Sequence, residues 1–273
     1  MSRIASAFQH RPCFMPYFPL GYPTPEVSVE VMTALAKNGA DLIEVGLPFS
    51  DPLADGPVIQ RATQIALRNG MTTARALEAV AELRARGVTI PLVLMGYYNP
   101  LMTYGLARLA EDARHAGADG FIAPDLPPEE STEFEAVLGD MPLMRMIAPT
   151  TPPDRMQMIT RNARGFLYLV SLTGITGARS HLPEGLPELV ARVRANRGAD
   201  GRPPLPICVG FGIATPEQAH AVGQMADGVI VGSACVRAIG ESPEPVRAAE
   251  EFARAFKTAL VESAVVSLMK RQF

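Results

Sequence analysis

The side chains best placed to do chemistry in this sequence are carboxylates. In Leu42-Ile43-Glu44-Val45-Gly46-Leu47-Pro48-Phe49-Ser50-Asp51-Pro52-Leu53-Ala54-Asp55-Gly56-Pro57, an apolar run carries one acid, Glu44, and opens into a proline-stiffened loop holding Asp51 and Asp55. Strand alternation puts Ile43 and Val45 on one face and Leu42 and Glu44 on the other. Glu44 then faces an interior, where a carboxylate is costly unless something there requires it. Pairing with an arginine is one such reason and catalysis is the other. Asp51 and Asp55, beside prolines and a glycine, have the composition of turn formers. A loop stiffened by Pro48, Pro52 and Pro57 can equally hold Asp55 opposite Glu44, and two acids facing one substrate permit divided acid and base roles.

Other chemistries are poorly supplied. Lys37 falls in the first helical pattern and Lys257 and Lys270 in the last, away from strand ends, which argues against a Schiff base. His10, His115, His181 and His220 are scattered, with His115 and His220 reading as helix-surface residues. Cys13, Cys208 and Cys235 form neither a CxxC pair nor a disulfide framework, so no metal site is expected. The 273 residues carry 28 acidic and 25 basic side chains, a net charge of −3, which supplies no field for nucleic acid; a phosphate must be held locally. No stretch reaches the roughly 18 consecutive apolar residues of a membrane span, and Pro12, Pro16 and Pro19 interrupt the first twenty residues. A soluble protein of the reducing cytoplasm is expected.

The elements that must position these residues alternate. Short apolar runs at 14–20, 42–45, 91–96, 120–123, 142–148, 166–171, 206–210 and 228–231 read as strands. Between them, stretches such as 27–36, 74–86, 106–116 and 186–197 place apolar residues at helical spacing. One joint recurs where helix should give way to strand: Asn38-Gly39-Ala40-Asp41, Ala116-Gly117-Ala118-Asp119 and Met225-Ala226-Asp227-Gly228. Eight such units in about 250 residues make a single-domain (β/α)8 TIM barrel over residues 1–273, an α/β fold whose active sites lie at the C-terminal strand ends.

Glu44 sits at such an end. Gly210-Phe211-Gly212 and Gly232-Ser233-Ala234 follow the last two strands, in the loops that most often cradle phosphate with backbone amides, although ordinary βα connections look similar. Thr173-Gly174-Ile175-Thr176-Gly177, continuing to about Leu182, suits either a lid or a plain surface loop. Tyr168 shares a strand face with Phe166 and Val170, as core or as pocket wall, and Tyr17, Met95 and Phe211 are at strand ends where they could line an apolar slot.

Together and in order, these segments resemble the tryptophan synthase alpha subunit family. The similarity runs from Ile43 to Gly56 and extends to Tyr97-Tyr98-Asn99-Pro100, Pro124-Asp125-Leu126-Pro127-Pro128-Glu129-Glu130, Ala148-Pro149-Thr150-Thr151, Ser171-Leu172-Thr173-Gly174-Ile175-Thr176-Gly177 and the two glycine turns. Nearly the whole chain is covered. The resemblance implies retro-aldol cleavage of indole-3-glycerol phosphate to indole and glyceraldehyde 3-phosphate in tryptophan biosynthesis. It implies Glu44 as general acid/base, Asp55 as acceptor of the indole N–H, and Tyr17, Met95, Tyr168, Thr176 and Phe211 around the substrate. Gly177, Gly212, Gly232 and Ser233 would hold the phosphate.

It also implies no cofactor in this chain and a pyridoxal-phosphate-dependent beta subunit, commonly in an α2β2 complex. That partner would dock on the strand-two loop and the Asn99-Pro100-Leu101-Met102 region, with Leu101 and Met102 exposed. Tyr17 and Met95 stand where relatives are expected to carry other apolar residues. Two readings lie outside the family: another phosphate-binding barrel enzyme, such as a sugar-phosphate isomerase or epimerase, and an inactive scaffold or activating subunit, against which the presence of both Glu44 and Asp55 argues. The segment 197–204 reads as a surface insertion, and Arg145, inside a strand run, implies an ion pair in the interior or at the bottom face.

Overall fold

The computed structural model describes residues 2–9, 12–170, 185–196, 203–210 and 212–270, with 263–270 as backbone only. Thr176 and Gly177 with the rest of the strand-six loop, Phe211, and residues 197–202 of the expected insertion lie outside the described residues.

Strand and helix alternate from the first strand onward. The strands are β1 (Cys13–Pro19), β2 (Ile43–Gly46), β3 (Leu92–Met95), β4 (Gly120–Ile122), β5 (Arg145–Ile147), β6 (Leu167–Val170), β7 (Ile207–Gly210) and β8 (Gly228–Val231). The helices are α1 (Arg3–Ala7), α2 (Pro25–Lys37), α3 (Pro57–Arg68), α4 (Thr73–Ala85), α5 (Tyr98–Tyr104), α6 (Leu106–Ala116), α7 (Thr132–Leu138), α8 (Pro153–Asn162), α9 (Leu186–Asn196), α10 (Pro216–Gly223), α11 (Ser233–Gly240) and α12 (Pro245–Lys270). Their starts follow local chemistry. Proline at the first turn opens α2, α3, α8 and α10, where its missing N–H costs nothing, and Thr24, Thr72 and Thr215 cap α2, α4 and α10.

The eight strands form one parallel sheet in the order β4-β3-β2-β1-β8-β7-β6-β5. Its ends meet: Phe121 N–H donates to Pro142 O at 2.9 Å and Met144 N–H to Phe121 O at 2.8 Å, with Phe121 bridging Leu143. The sheet is therefore a (β/α)8 barrel. Only 145–147 of the expected run 142–148 is regular strand; Pro142 and Met144 make the closing seam instead. Phe14 of β1 faces outward and packs on Phe252 and Phe256 of α12, with ring centroids 6.4 and 5.5 Å away. At the other end of the barrel from the site, Ile4 and Phe8 are buried and the Phe8 ring meets Phe166.

The recurring joint proves to be a strand-pairing device. Asp41, Asp119 and Asp227 each donate their own N–H to a carbonyl on the neighbouring strand, Phe14, Leu92 and Ile207 respectively. Each carboxylate accepts the N–H of that same residue, at 2.8, 2.9 and 2.9 Å. Gly39 and Gly117 take positive φ, 132° and 88°, turning the chain out of the helix so the aspartate arrives in register. Among the described residues no helix is long and apolar enough to cross a membrane.

Candidate active site

Glu44 occupies the middle of β2, in register with Tyr17 on β1 and Val93 on β3, and its side chain is 1% exposed. Its Oε1 is buried without a hydrogen-bond partner, and among the described residues no arginine pairs with it. Burial, followed by repulsion from Asp55, pushes its pKa from 4.5 to about 8. Near neutral pH Glu44 is therefore a carboxylic acid with a proton to give.

Asp55 reaches the same space from the loop after β2. It is 5% exposed, and burial raises its pKa from 3.8 to about 6, offset by the interaction with the Tyr97 hydroxyl. Near neutral pH it is ionised. The loop is braced by Asp55 N–H donating to Pro52 O at 3.1 Å and by Gln60 Nε2 donating to Asp55 O at 2.7 Å. Asp51 is exposed, and its carboxylate accepts the Ser50 hydroxyl.

Two tyrosines wall the space around Glu44. Tyr17 and Tyr168 are both buried, and both phenols are held well above their ordinary pKa, chiefly by burial and then by the two carboxylates. Each leans over a glycine that ends the next strand. A Cβ at Gly46 would collide with the Tyr17 hydroxyl, and one at Gly210 would lie 2.5 Å from Tyr168 Oη. Met95, at the end of β3, is 9% exposed. Tyr17, Met95, Tyr168, Glu44 and Asp55 thus belong to one end of the barrel.

On the far side of Tyr17, Gly232 forms the N-cap of α11, and a Cβ there would be 3.8 Å from the Tyr17 Cβ. Ser233 opens the helix with a hydroxyl that is buried without a partner. The first N–H groups of a helix have no intrahelical acceptor, and they carry the positive end of its dipole. Gly212 takes φ 83°, a turn conformation that favours glycine.

Several expectations need correction. Arg145 makes neither an interior nor a bottom-face pair. It lies on the outer side of the barrel, 4% exposed, with one nitrogen 2.6 Å from both Glu135 of α7 and the Ser131 hydroxyl. Leu101 is fully buried, and the exposed apolar residues of this end are Met102 at 53% and Leu53 at 84%. His220 is not a plain surface residue, since its ring bridges Ala259 O and Gln224. Lys37 and Lys257 are on outer helices, and among the described residues no group of three or more His, Cys, Asp or Glu could hold a metal. Sequence reasoning gave Tyr97 no role, although its position two residues beyond β3 was the available signal.

A buried pair of acids at the C-terminal end of a (β/α)8 barrel, next to a glycine-capped helix start, lies where enzymes of the barrel class build their active sites. Comparison with known proteins makes this particular. The family model for the tryptophan synthase alpha chain matches residues 5–265. The tryptophan synthase alpha chain of Chloroflexus aurantiacus is 50% identical over 250 residues, 89% of this chain and 92% of that one. That of Roseiflexus sp. (strain RS-1) is 47% identical over 266 residues, 94% of this chain and all of its own length. The crystal structure of tryptophan synthase subunit alpha from Legionella pneumophila superposes with a TM-score of 0.84 at 38% identity, covering 96% of this chain and 99% of the other. The chain belongs to the tryptophan synthase alpha chain family. It is a lyase of tryptophan biosynthesis, and membership of an alpha-chain family implies a beta-subunit partnership.

Proposed function

We propose that this chain cleaves indole-3-glycerol phosphate with Glu44 as general acid/base and Asp55 as the electrostatic partner of the indole nitrogen. The observation that carries this reading is the Glu44 carboxyl, buried with an unpartnered oxygen and pushed to about 8 beside an Asp55 that titrates near 6. Protonated Glu44 delivers its proton to the ring carbon bearing the glycerol side chain. The resulting cation is centred on the ring nitrogen, whose N–H donates to the Asp55 carboxylate. Glu44, now ionised, takes the proton of the adjacent side-chain hydroxyl. The carbon–carbon bond breaks, its electron pair restores the indole ring, the carbon carrying oxygen becomes an aldehyde, and Glu44 ends protonated as it began.

Tyr17, Met95 and Tyr168 supply the apolar and phenolic walls for the ring, with Thr176 and Phe211 completing them. Gly212, Gly232 and Ser233, with Gly177, hold the phosphate through backbone amides and the Ser233 hydroxyl, which suits an end of the barrel without a lysine. The chain works without a cofactor of its own in the cytoplasm as one domain. Its partner is a pyridoxal-phosphate-dependent beta subunit in an α2β2 complex, docked near Met102 and Leu53. Measuring indole release by Glu44→Gln and Asp55→Asn tests the assignment: both should lose activity by at least about a hundredfold while keeping the fold. Unchanged indole release by Glu44→Gln would refute it.

A further inference from the structure

The loop carrying Asp55 is also pinned from the turn between β3 and α5, by the side chain of Tyr97. Tyr97 is 5% exposed and forms the N-cap of α5, whose first N–H, on Tyr98, donates to both oxygens of Asp125 at 2.9 and 3.2 Å. Its ring meets Phe49 of the loop with centroids 5.5 Å apart. Its hydroxyl oxygen accepts the N–H of Ala54, the residue immediately before Asp55, at 2.9 Å. A phenol that accepts one bond still has a proton to donate. The neighbour that interacts with this phenol and needs a donor is the Asp55 carboxylate.

We propose that Tyr97 is a positioning residue for Asp55: its hydroxyl holds the Ala54 N–H and donates to the Asp55 carboxylate, presenting that group to the indole nitrogen in its ionised form. This rests on the reading of Asp55 as the acceptor of the indole N–H. The reason such a donor is needed lies in the surroundings. Asp55 faces Glu44 from β2, the Tyr17 phenol from β1 and the Tyr168 phenol from β6, and burial drives it toward the neutral form. A neutral Asp55 offers the developing cation no charge. A hydrogen bond to the ionised form opposes burial and keeps the two acids in different protonation states. The Phe49 contact and the Ala54 bond also fix the loop before substrate arrives, so little reorganisation remains for the reaction itself.

The test is the pH profile of indole release by the full-length chain, comparing wild type with Tyr97→Phe, which keeps the ring packing and removes only the hydroxyl. The second ionisation of the substrate phosphate, near pH 6, is common to both and cancels in the comparison. We expect Tyr97→Phe to lower kcat about tenfold with a smaller change in KM, and to move the acid limb of kcat/KM upward by about one pH unit. Phe49→Leu, which loosens the loop but leaves the hydroxyl, should leave the limb in place. In an Asp55→Asn background, Tyr97→Phe should change nothing further. An acid limb that stays put in Tyr97→Phe, or an equal loss on top of Asp55→Asn, overturns the proposal. Full activity in Asp55→Asn alone would instead overturn the reading of Asp55 on which it rests.

Discussion

The two ends of the barrel treat the same functional group in opposite ways. At the N-terminal end, Asp119 accepts the Leu92 N–H at 2.9 Å, Arg84 at 2.5 Å and Arg3 at 3.1 Å, and Asp41 accepts the Phe14 N–H at 2.8 Å and Lys257 at 2.6 Å. At the C-terminal end, among the described residues, Glu44 has an oxygen with no partner, no cation beside it and a second acid as its neighbour. A carboxylate with amides and cations around it ties strands together. One deprived of both stores the cost of its own ionisation as a proton ready for transfer. The fold supports the second kind because the first kind holds the strands that frame it.

If the ends divide in this way, substitutions should separate activity from stability. The largest effect expected is on Glu44→Gln, whose indole-forming kcat should fall by about 10³ with circular dichroism unchanged. Next comes Asp119→Ala, which strands the Leu92 N–H and the Arg84 guanidinium. It should cost about 3 kcal/mol in a urea melt with kcat per folded molecule unaltered.

The third effect has the opposite sign. The folded-state pKa of Glu44 lies above its ordinary 4.5, so the folded chain binds the extra proton, and stability falls as pH rises from about 4.5 to about 8. Glu44→Gln should remove that slope. It should be more stable than wild type at pH 8 and equal to it near pH 4, as thermal melts at the two pH values would show. The smallest effect is Asp41→Asn, about 1 kcal/mol, since the Lys257–Asp41 pair is partly solvated, at 27% and 19% exposed.

Much of this was legible in the sequence because it follows from periodicity. The run at 228–231 and the helix at 106–116 coincide with β8 and α6, and the other strand runs were displaced or overextended by a few residues. Short α5 and α11 went unread because seven or eight residues at a strand end show little helical period. Glu44 was readable because an acid inside an apolar strand is a conflict at the level of residues. Arg145 is the same conflict with a different resolution: its partners Glu135 and Ser131 come from the preceding βα unit, and no local pattern announces a contact across units. Tyr97 carried only a positional signal, just beyond β3, for a related reason. Its meaning depends on Ala54 and Phe49, more than forty residues earlier, which only the closed barrel brings within reach.

The most direct test of the division between the two ends is a carbon-13 NMR titration of the Glu44 side-chain carboxyl, assigned by its disappearance in Glu44→Gln. A midpoint near pH 8 is the expected result, leaving Glu44 protonated at neutral pH while Asp55 is ionised. A midpoint near the ordinary 4.5 would contradict it, since Glu44 would then be as well satisfied as the aspartates at the other end and would have no proton to give.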